Sequence, residues 1–219
     1  MAFTTYKTVL KEVTAQIIEK KSRFIATVLP IKNEQQAIDY IQKIKTRHWD
    51  ASHNVYAYKL GEHQLMRYSD DGEPSGTAGI PVLEIIKKEG LTDVLVVVTR
   101  YFGGTLLGAG GLVRAYGKSA KEGLHAAGMI TMRLCEVIAL QMAYTLLGKV
   151  QSEILAHKHY VQDILYTDDV EMTVLCQTEH VQALQKQLVE CTNGRITWTK
   201  RGNQWIAVDE HEKLIFIKE

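Results

Sequence analysis

Residues 94–118 read VLVVVTRYFGGTLLGAGGLVRAYGK and predict a strand, a glycine-rich loop and the start of a helix. The apolar run Val94–Thr99 is typical of a strand that is covered on both faces. The loop holds five glycines in residues 103–111, more than a turn requires. A helix is predicted over Leu112–Ala127. Proteins use this order of strand, glycine loop and helix N-terminus to bind phosphate, because backbone N–H groups and the helix dipole favour an anion.

The side chains around this loop suggest how a phosphate would be held. Arg100 ends the strand and Arg114 is expected in the first helical turn, so both can clamp a phosphate or a nucleic-acid backbone. The residues predicted to bind phosphate or nucleic acid here are Arg100, Tyr101, Phe102, Gly103, Gly104, Gly108, Gly110, Gly111, Arg114, Tyr116 and Lys118. The three aromatic residues of this set are available to stack on exposed bases. The alternative is a tight loop whose glycines only permit close packing.

A second unusual segment, residues 68–79, reads YSDDGEPSGTAG and precedes a helix predicted over Pro81–Lys88. Its carboxylates are oxygen ligands suited to Mg²⁺, so a magnesium site is possible at Asp70, Asp71 and Glu73. Alternatively, a cradle of backbone N–H groups before the helix would hold an anion at Ser75, Gly76, Thr77 and Gly79. These two interpretations compete, because carboxylates repel phosphate unless a metal bridges them. A third interpretation is an acidic, solvated turn.

The composition is that of a globular protein. The chain has 219 residues, of which 46% are hydrophobic and 23% are charged, and this length predicts one large or two modest domains. Its apolar runs fall far short of the roughly 20 residues needed to cross a bilayer. The N-terminal residues lack the apolar core of a secretory signal, so we expect a cytoplasmic protein without a membrane partner. Cys135, Cys176 and Cys191 lack CxxC spacing, which favours buried thiols over a disulfide framework or a zinc site.

Charge and glycine content divide the chain. Residues 1–129 hold 17 Lys and Arg against 13 Asp and Glu, whereas residues 130–219 hold 9 against 12. Of the 16 glycines, 13 fall within Gly61–Gly128. Special backbone geometry is therefore concentrated in the more basic half, and we expect a domain boundary near Met129–Arg133.

The order of predicted elements is that of an α+β protein. The first half reads β-β-α-β-β-α-β-α, with a strand over Thr8–Ile18 and an amphipathic helix over Glu34–Arg47. The second half reads β-α-β-β-α-β, which is the split βαβ order of ferredoxin-like domains. Leu214–Ile217 is expected to add an edge strand. His157 and His159 are expected on different faces of a helix end, exposed to solvent.

Taken together, the two loop motifs resemble the signature of the YigZ/IMPACT family. The segments Lys21–Phe24 and His53–Tyr58 extend this resemblance through most of residues 15–128. The resemblance implies a ribosomal protein S5 domain 2-like domain over residues 1–130. It also implies a ferredoxin-like domain, similar to the last domain of elongation factor G, over residues 131–219. Eukaryotic relatives regulate translation by competing for an activator of a stress-response kinase. They do so through additional regions for which this sequence lacks room, so that partner is not transferred.

The leading functional hypothesis is a translation-linked, RNA- or ribosome-associated regulatory factor that binds phosphate through its glycine loops. Translation factors are the alternative partners, and the N-terminal domain is expected to hold the binding site. Two other classes stay open: a Mg²⁺-dependent enzyme acting on a phosphorylated small molecule, and a protein-interaction module. The sequence offers no assignable nucleophile or general base. His48, Asp50, Ser52 and His53 form a conceivable catalytic set, but no GxSxG elbow accompanies them.

Overall fold

The computed structural model describes residues 4–61 and 65–215. It is a mixed α+β fold built on antiparallel sheets, as predicted. The chain divides into two compact units, of which the first contains Tyr6–Thr131 and the second takes up the chain from Met132. No helix within the described ranges is both long and apolar enough to cross a membrane.

Five strands of the first half form one antiparallel sheet with helices on both faces. Its elements in chain order are β1 (Thr5–Val9), β2 (Val13–Glu19), β3 (Ser22–Pro30), α1 (Glu34–Arg47), β4 (His53–Leu60), β5 (Leu65–Ser69), α2 (Gly79–Lys88), β6 (Val94–Tyr101) and α3 (Ala109–Ala127). The sheet has the order β2-β3-β6-β4-β5, and β1 lies outside this sheet. The two strands of the predicted hairpin, β4 and β5, are paired, whereas residues 62–64 of its turn lie outside the described residues.

Strand β6 lies at the centre of this sheet and is buried on both faces, as its apolar run predicts. Val94, Val96 and Val98 belong to a core cluster that includes residues of α2 and α3. Leu95 and Val97 belong to a second cluster that includes residues of α1. Successive side chains of a strand point to opposite faces, so one strand anchors both layers. The loop after β6 is therefore held by the most buried strand of the unit.

Three boundaries differ from the sequence prediction. The single strand predicted over Thr8–Ile18 is wrong: β1 and β2 are separated at residues 10–12, where the Leu10 N–H donates to the Gly128 carbonyl at 2.8 Å. Helices α2 and α3 begin two and three residues earlier than predicted. Glycines lie in both added segments, and their low helix propensity explains why the sequence pattern placed the two starts later,. Because α3 begins at Ala109, Arg114 lies in the second turn of α3 and not in the first.

The second half forms the predicted ferredoxin-like arrangement. Its elements are β7 (Met129–Met142), α4 (Tyr144–Ala156), β8 (Tyr160–Tyr166), β9 (Val170–Gln177), α5 (Val181–Thr192), β10 (Thr197–Val208) and β11 (Leu214–Ile215). The sheet order is β11-β10-β7-β9-β8, so β7 and β9 are central. Strand β11 adds the expected edge strand, although Phe216 and Ile217 lie outside the described residues.

The side chains of this unit agree with the sequence prediction for Cys135, Cys176 and the exposed His157, but not for Cys191, which is half-buried, or for His159. Cys135 and Cys176 are buried free thiols, and burial raises their pKa to about 11 and about 12. His159 was expected in solvent, yet it is only 7% exposed. Helix α4 ends at Ala156, so the helical spacing on which that expectation rested does not extend to His157 and His159. Their rings lie nearly parallel, with centroids 6.5 Å apart.

Candidate functional site

In the acidic segment before α2, backbone N–H groups bind the side-chain carboxylate of Asp70. Asp70 Oδ1 accepts hydrogen bonds from the backbone N–H groups of Ala78 and Gly79 at 3.1 and 2.8 Å. Asp70 Oδ2 accepts another from the Gly76 N–H at 2.8 Å. A carboxylate at a helix N-terminus satisfies donors that have no partner within the helix and is favoured by the helix dipole. Asp70 therefore caps α2 from nine residues away in the sequence.

The anion cradle predicted before α2 exists, but a side chain of the same protein fills it. The Gly76 and Gly79 N–H groups are bonded to Asp70, and the Thr77 hydroxyl donates to the Pro74 carbonyl at 2.7 Å. Ser75 is exposed beside them. An external phosphate would have to displace the Asp70 carboxylate and would be repelled by it. The prediction that this segment holds an external anion is therefore corrected.

Asp71 and Glu73 are also engaged in internal contacts. Asp71 Oδ1 pairs with Lys45 Nζ at 2.6 Å, and its Oδ2 accepts from the Asn54 N–H at 2.6 Å. The buried Glu73 accepts from Arg100 Nη1 at 2.6 Å and from the Tyr116 hydroxyl at 2.7 Å. Burial and the hydrogen bond to Glu73 raise the pKa of Tyr116, so this phenol is a donor at neutral pH. The two motifs thus meet at Glu73.

This geometry does not support a magnesium site at Asp70, Asp71 and Glu73. Each carboxylate binds a different set of partners. Asp70 binds backbone amides, Asp71 binds a lysine and a further amide, and Glu73 binds a buried arginine and a tyrosine. Among the residues that the structure describes, no three His, Cys, Asp or Glu side chains are grouped so that they could hold a metal ion.

Two of the predicted binding residues of the second motif lie in the interior. The Arg100 guanidinium is 5.4 Å from the Phe24 ring and 5.5 Å from the Phe102 ring, in addition to its ion pair with Glu73. Tyr116 has no exposed surface, and its ring packs edge-on against Phe24 at 5.1 Å. Arg100 therefore does not face solvent to clamp a phosphate, and Tyr116 cannot stack on a base. Both side chains join the two loops to the core.

Gly103 has a packing role, as the alternative interpretation of the loop expects. A Cβ atom at this position would lie 2.1 Å from the carbonyl carbon of Lys21. The Gly103 N–H also donates to Ser22 Oγ at 3.1 Å. The turn between β2 and β3 thus packs directly against the Gly103 backbone, which leaves no space for a side chain. Phe102 is fixed in the same way, since its N–H donates to Ser52 Oγ.

The rest of the loop is open and leads to an exposed helix N-terminus. Gly104, Gly108 and Gly110 are exposed, and Gly111 is half-buried. Gly108 precedes α3 with a φ of +73°, a conformation that favours glycine,. The residue that precedes this helix, Gly108, has no side chain with which to cap it, and the first turn contains no acidic residue. The N-terminus of α3 therefore differs from that of α2, which Asp70 fills.

Two exposed cations accompany this open helix start. Arg114 Nη1 lies 3.6 Å from the point where a Cβ of Gly110 would stand, so its guanidinium lies beside the first turn. Lys118 is exposed one turn further along α3. Of the predicted phosphate site, Gly104, Gly108, Gly110, Arg114 and Lys118 are exposed.

The structure adds the segment between α1 and β4, to which the sequence assigned no binding role. His48 Nδ1 lies 2.9 Å from the Tyr101 hydroxyl, which donates to Asp50 at 3.1 Å. Ser52 accepts the Phe102 N–H, and His53 Nδ1 lies 2.8 Å from the Asp71 carbonyl. His48 and Asp50 share the Tyr101 hydroxyl, whereas Ser52 and His53 contact backbone groups elsewhere, so the four side chains do not join in one hydrogen-bonded set. These bonds place the segment against the start of the second loop.

Comparisons with known proteins agree with this division of the chain. A family model described as the Impact N-terminal domain matches residues 20–124, and one described as a domain of unknown function (DUF1949) matches residues 140–195. The chain is 43% identical to the IMPACT family member YvyE of Bacillus subtilis over 192 residues, covering 87% of this chain and 88% of that protein.

A bacterial relative and a solved structure extend the comparison. The chain is 40% identical to the IMPACT family member YigZ of Escherichia coli over 109 residues, which cover 48% of this chain and 53% of that protein. A solved structure titled "Crystal structure of an hypothetical protein" matches with a TM-score of 0.59 and 28% identity. That match covers 90% of this chain and 97% of the other.

Proposed function

Because the chain belongs to the IMPACT family, we propose that it is a translation-linked regulatory factor that binds phosphate groups of RNA, free or in the ribosome. The proposed site is the open glycine loop and the first two turns of α3. The observation that carries this proposal is the contrast between two helix starts in one unit. Asp70 fills the N-terminus of α2, whereas that of α3 is exposed and flanked by Arg114 and Lys118.

The chemistry of the α3 start fits a phosphate. The first N–H groups of a helix have no acceptor within the helix, and the dipole favours negative charge there. Exposed glycines let an anion approach these amides closely, and Arg114 supplies planar donors suited to phosphate oxygens. Such contacts fix a nucleic-acid backbone without reading its sequence, which fits a factor with affinity for many RNAs.

The link to translation comes from the family resemblance and not from the site. Eukaryotic relatives regulate translation, and we extend this broad role to the present chain. We further propose that residues 1–130 bind the anion in the cytoplasm, while residues 131–219 tune the choice of partner. The second part holds 9 basic against 12 acidic residues, so it repels a phosphate backbone at long range,.

An RNA-binding titration of the full chain tests the site. We expect Arg114→Ala combined with Lys118→Ala to weaken binding of a fluorescent single-stranded RNA at low salt by at least about tenfold, since two phosphate contacts are lost. The matched control is Lys32→Ala with Lys88→Ala, which removes the same charge from exposed positions on other elements. Equal weakening by both variants, or no RNA affinity in the unaltered protein, would contradict the proposal.

A protein-interaction module is the second candidate, because a large aromatic side chain, Trp49, is exposed near the loop. Capture of partners from a cell lysate with and without nuclease separates the two candidates. Translation proteins that are retained after nuclease treatment, together with no affinity for purified RNA, would favour direct protein contact.

A further inference from the structure

Trp49 is the most exposed large hydrophobic side chain of the described residues, with 84% of its surface accessible. It follows directly on His48, the C-terminal cap of α1, and lies in the connection to β4. Full exposure of an indole is unfavourable, and large aromatic side chains at surfaces are enriched where partners bind. The indole contributes little to the core, so its position calls for another role.

The backbone around Trp49 is held firmly against Tyr101. The residue before it, His48, contacts the Tyr101 hydroxyl at 2.9 Å, and the residue after it, Asp50, accepts that hydroxyl at 3.1 Å. Two residues further on, the Ser52 N–H donates to the Arg100 carbonyl at 2.9 Å. The indole is therefore presented from a fixed segment beside the glycine loop. A backbone segment that is already fixed loses little conformational entropy on binding.

Tyr101 and Phe102, which follow Arg100 in the chain, are further groups suited to stacking. The Arg23 guanidinium carbon lies 4.4 Å from the centroid of the Tyr101 ring, so this cation stacks on the phenol. Phe102 follows Tyr101 and is 49% exposed, with Arg100 at 5.5 Å from its ring. Arginine planes and aromatic rings are the groups on which proteins stack unpaired bases.

The charges around these rings are mainly positive. Three exposed cations contribute. Lys21 lies next to Gly103, Arg23 lies over the Tyr101 ring, and Arg47 precedes Trp49 by two residues. Asp50 is the acidic side chain within the segment, and its carboxylate accepts the Tyr101 hydroxyl. Cations thus alternate with aromatic rings instead of surrounding one apolar patch. This arrangement suits a chain of phosphates and bases better than an apolar protein surface.

We propose that Trp49 and the Arg23–Tyr101 pair form a stacking surface for unpaired nucleotides of single-stranded RNA. This inference rests on the proposed function and extends it from phosphate contact to base contact. A duplex keeps its bases stacked on each other, so it offers none to these rings. The surface therefore makes the protein prefer single-stranded RNA, while the α3 start holds the adjoining phosphates.

The test compares the same RNA in two forms. An unstructured 12-nucleotide RNA and its duplex with the complementary strand are titrated into the full chain. Trp49→Ala is expected to weaken single-strand binding about fivefold or more, as loss of one base stack does, and to leave duplex binding unchanged. Trp49→Phe is expected to restore most of the affinity. Trp205→Ala is the control, since Trp205 is a partly exposed tryptophan of the second unit.

Tryptophan fluorescence gives a second readout. The single-stranded RNA is expected to quench emission of the unaltered protein and of Trp205→Ala, but much less that of Trp49→Ala. Suppose that Trp49→Ala keeps its affinity for the single strand while the Arg114 and Lys118 double variant loses it. That result would overturn the stacking surface and leave the proposed function intact. Equal loss on both RNA forms would also overturn it. No binding of either RNA by the unaltered protein would overturn both proposals, and a nuclease-resistant protein partner lost in Trp49→Ala would assign the surface to protein.

Discussion

Arg100 and Glu73 form a buried ion pair, with Nη1 and Oε1 separated by 2.6 Å. Glu73 belongs to the acidic motif and Arg100 begins the glycine loop, so this contact joins the two segments that characterise the sequence. Tyr116 donates to the same carboxylate oxygen from α3. Glu73 thus holds Arg100 before the loop and Tyr116 after it. The middle of the loop stays exposed.

Replacing Glu73 by Ala is expected to lower the free energy of unfolding by about 3–5 kcal/mol, because Arg100 would remain buried without its counter-charge. Urea denaturation of the full chain measures this loss. Glu84→Ala removes an exposed partner of Lys87 and is expected to cost less than about 1 kcal/mol,. The double variant Glu73→Leu with Arg100→Met should be more stable than Glu73→Ala. If Glu73→Ala were as mild as Glu84→Ala, the buried pair would not organise the loops.

Replacing Asp70 by Ala is expected to cost about 1–2 kcal/mol, since the N-terminus of α2 loses its cap,. Asp70→Asn keeps an oxygen acceptor for Ala78 and Gly79 but turns its amide NH2 toward the Gly76 N–H, so it should recover only part of that amount. The same denaturation experiment compares both variants. Equal losses in the two variants would show that the carboxylate charge, and not the cap geometry, is what the helix needs.

Two glycine substitutions separate packing from binding. Gly103→Ala places a methyl group against the Lys21 backbone and is expected to destabilise the protein by about 1–3 kcal/mol,. Gly110 lies in a helix, and the nearest atom to an added methyl group is the flexible end of Arg114. Gly110→Ala should therefore leave the free energy of unfolding unchanged or raise it by about 0.5–1 kcal/mol,. RNA affinity of Gly110→Ala should nevertheless fall, because its methyl group blocks close approach to the amides. Unchanged RNA affinity in Gly110→Ala would place the phosphate elsewhere.

Acid is expected to destabilise the second unit through His159. Burial, together with the neighbouring His180 and His157, lowers the pKa of His159 to about 4; Cys176 Sγ also lies 3.9 Å from its Nε2. The imidazole of His159 is therefore protonated below about pH 6.5 in the unfolded chain, but only below about pH 4 in the folded chain. Stability is fully present above pH 6.5 and is lost as the pH falls through this window, by about 1–3 kcal/mol.

Urea denaturation at several pH values between 7 and 4 checks this effect. His159→Gln should flatten the pH dependence, whereas substitution of the exposed His211 should not. The same slope in His159→Gln and in the unaltered protein would contradict the assignment.

Local patterns were sufficient for much of the fold. Helix α1 begins and ends where its apolar spacing predicts, and its buried residues Ala37, Ile41 and Ile44 lie on one face. The uninterrupted apolar residues of β6 correctly predict burial on both faces. The start of α2 depends on a contact between residues that are distant in the sequence, which a local pattern does not show. Asp70 reaches Gly79, and glycine-rich sequence alone predicts a loop there.

The sequence was sufficient to identify the two motifs of the candidate site, but not the directions in which their side chains point. Sequence pattern identified Gly108, Gly110 and Arg114 as neighbours of a helix start. It did not show that Arg100 turns inward, because an arginine at a strand end is exposed unless a carboxylate such as Glu73 meets it inside the fold,. Trp49 was not assigned a role either, since nothing in the local sequence indicates that its neighbours bind the Tyr101 hydroxyl.

The salt dependence of RNA affinity tests the central claim most directly. The logarithm of the binding constant for a single-stranded RNA falls linearly with the logarithm of salt concentration, with a slope near −0.7 for each phosphate contact. The account predicts that Arg114→Ala with Lys118→Ala reduces the size of this slope by about 1.4, while Lys32→Ala with Lys88→Ala leaves it unchanged. An unaltered slope in the Arg114 and Lys118 variant would contradict phosphate binding at the start of α3.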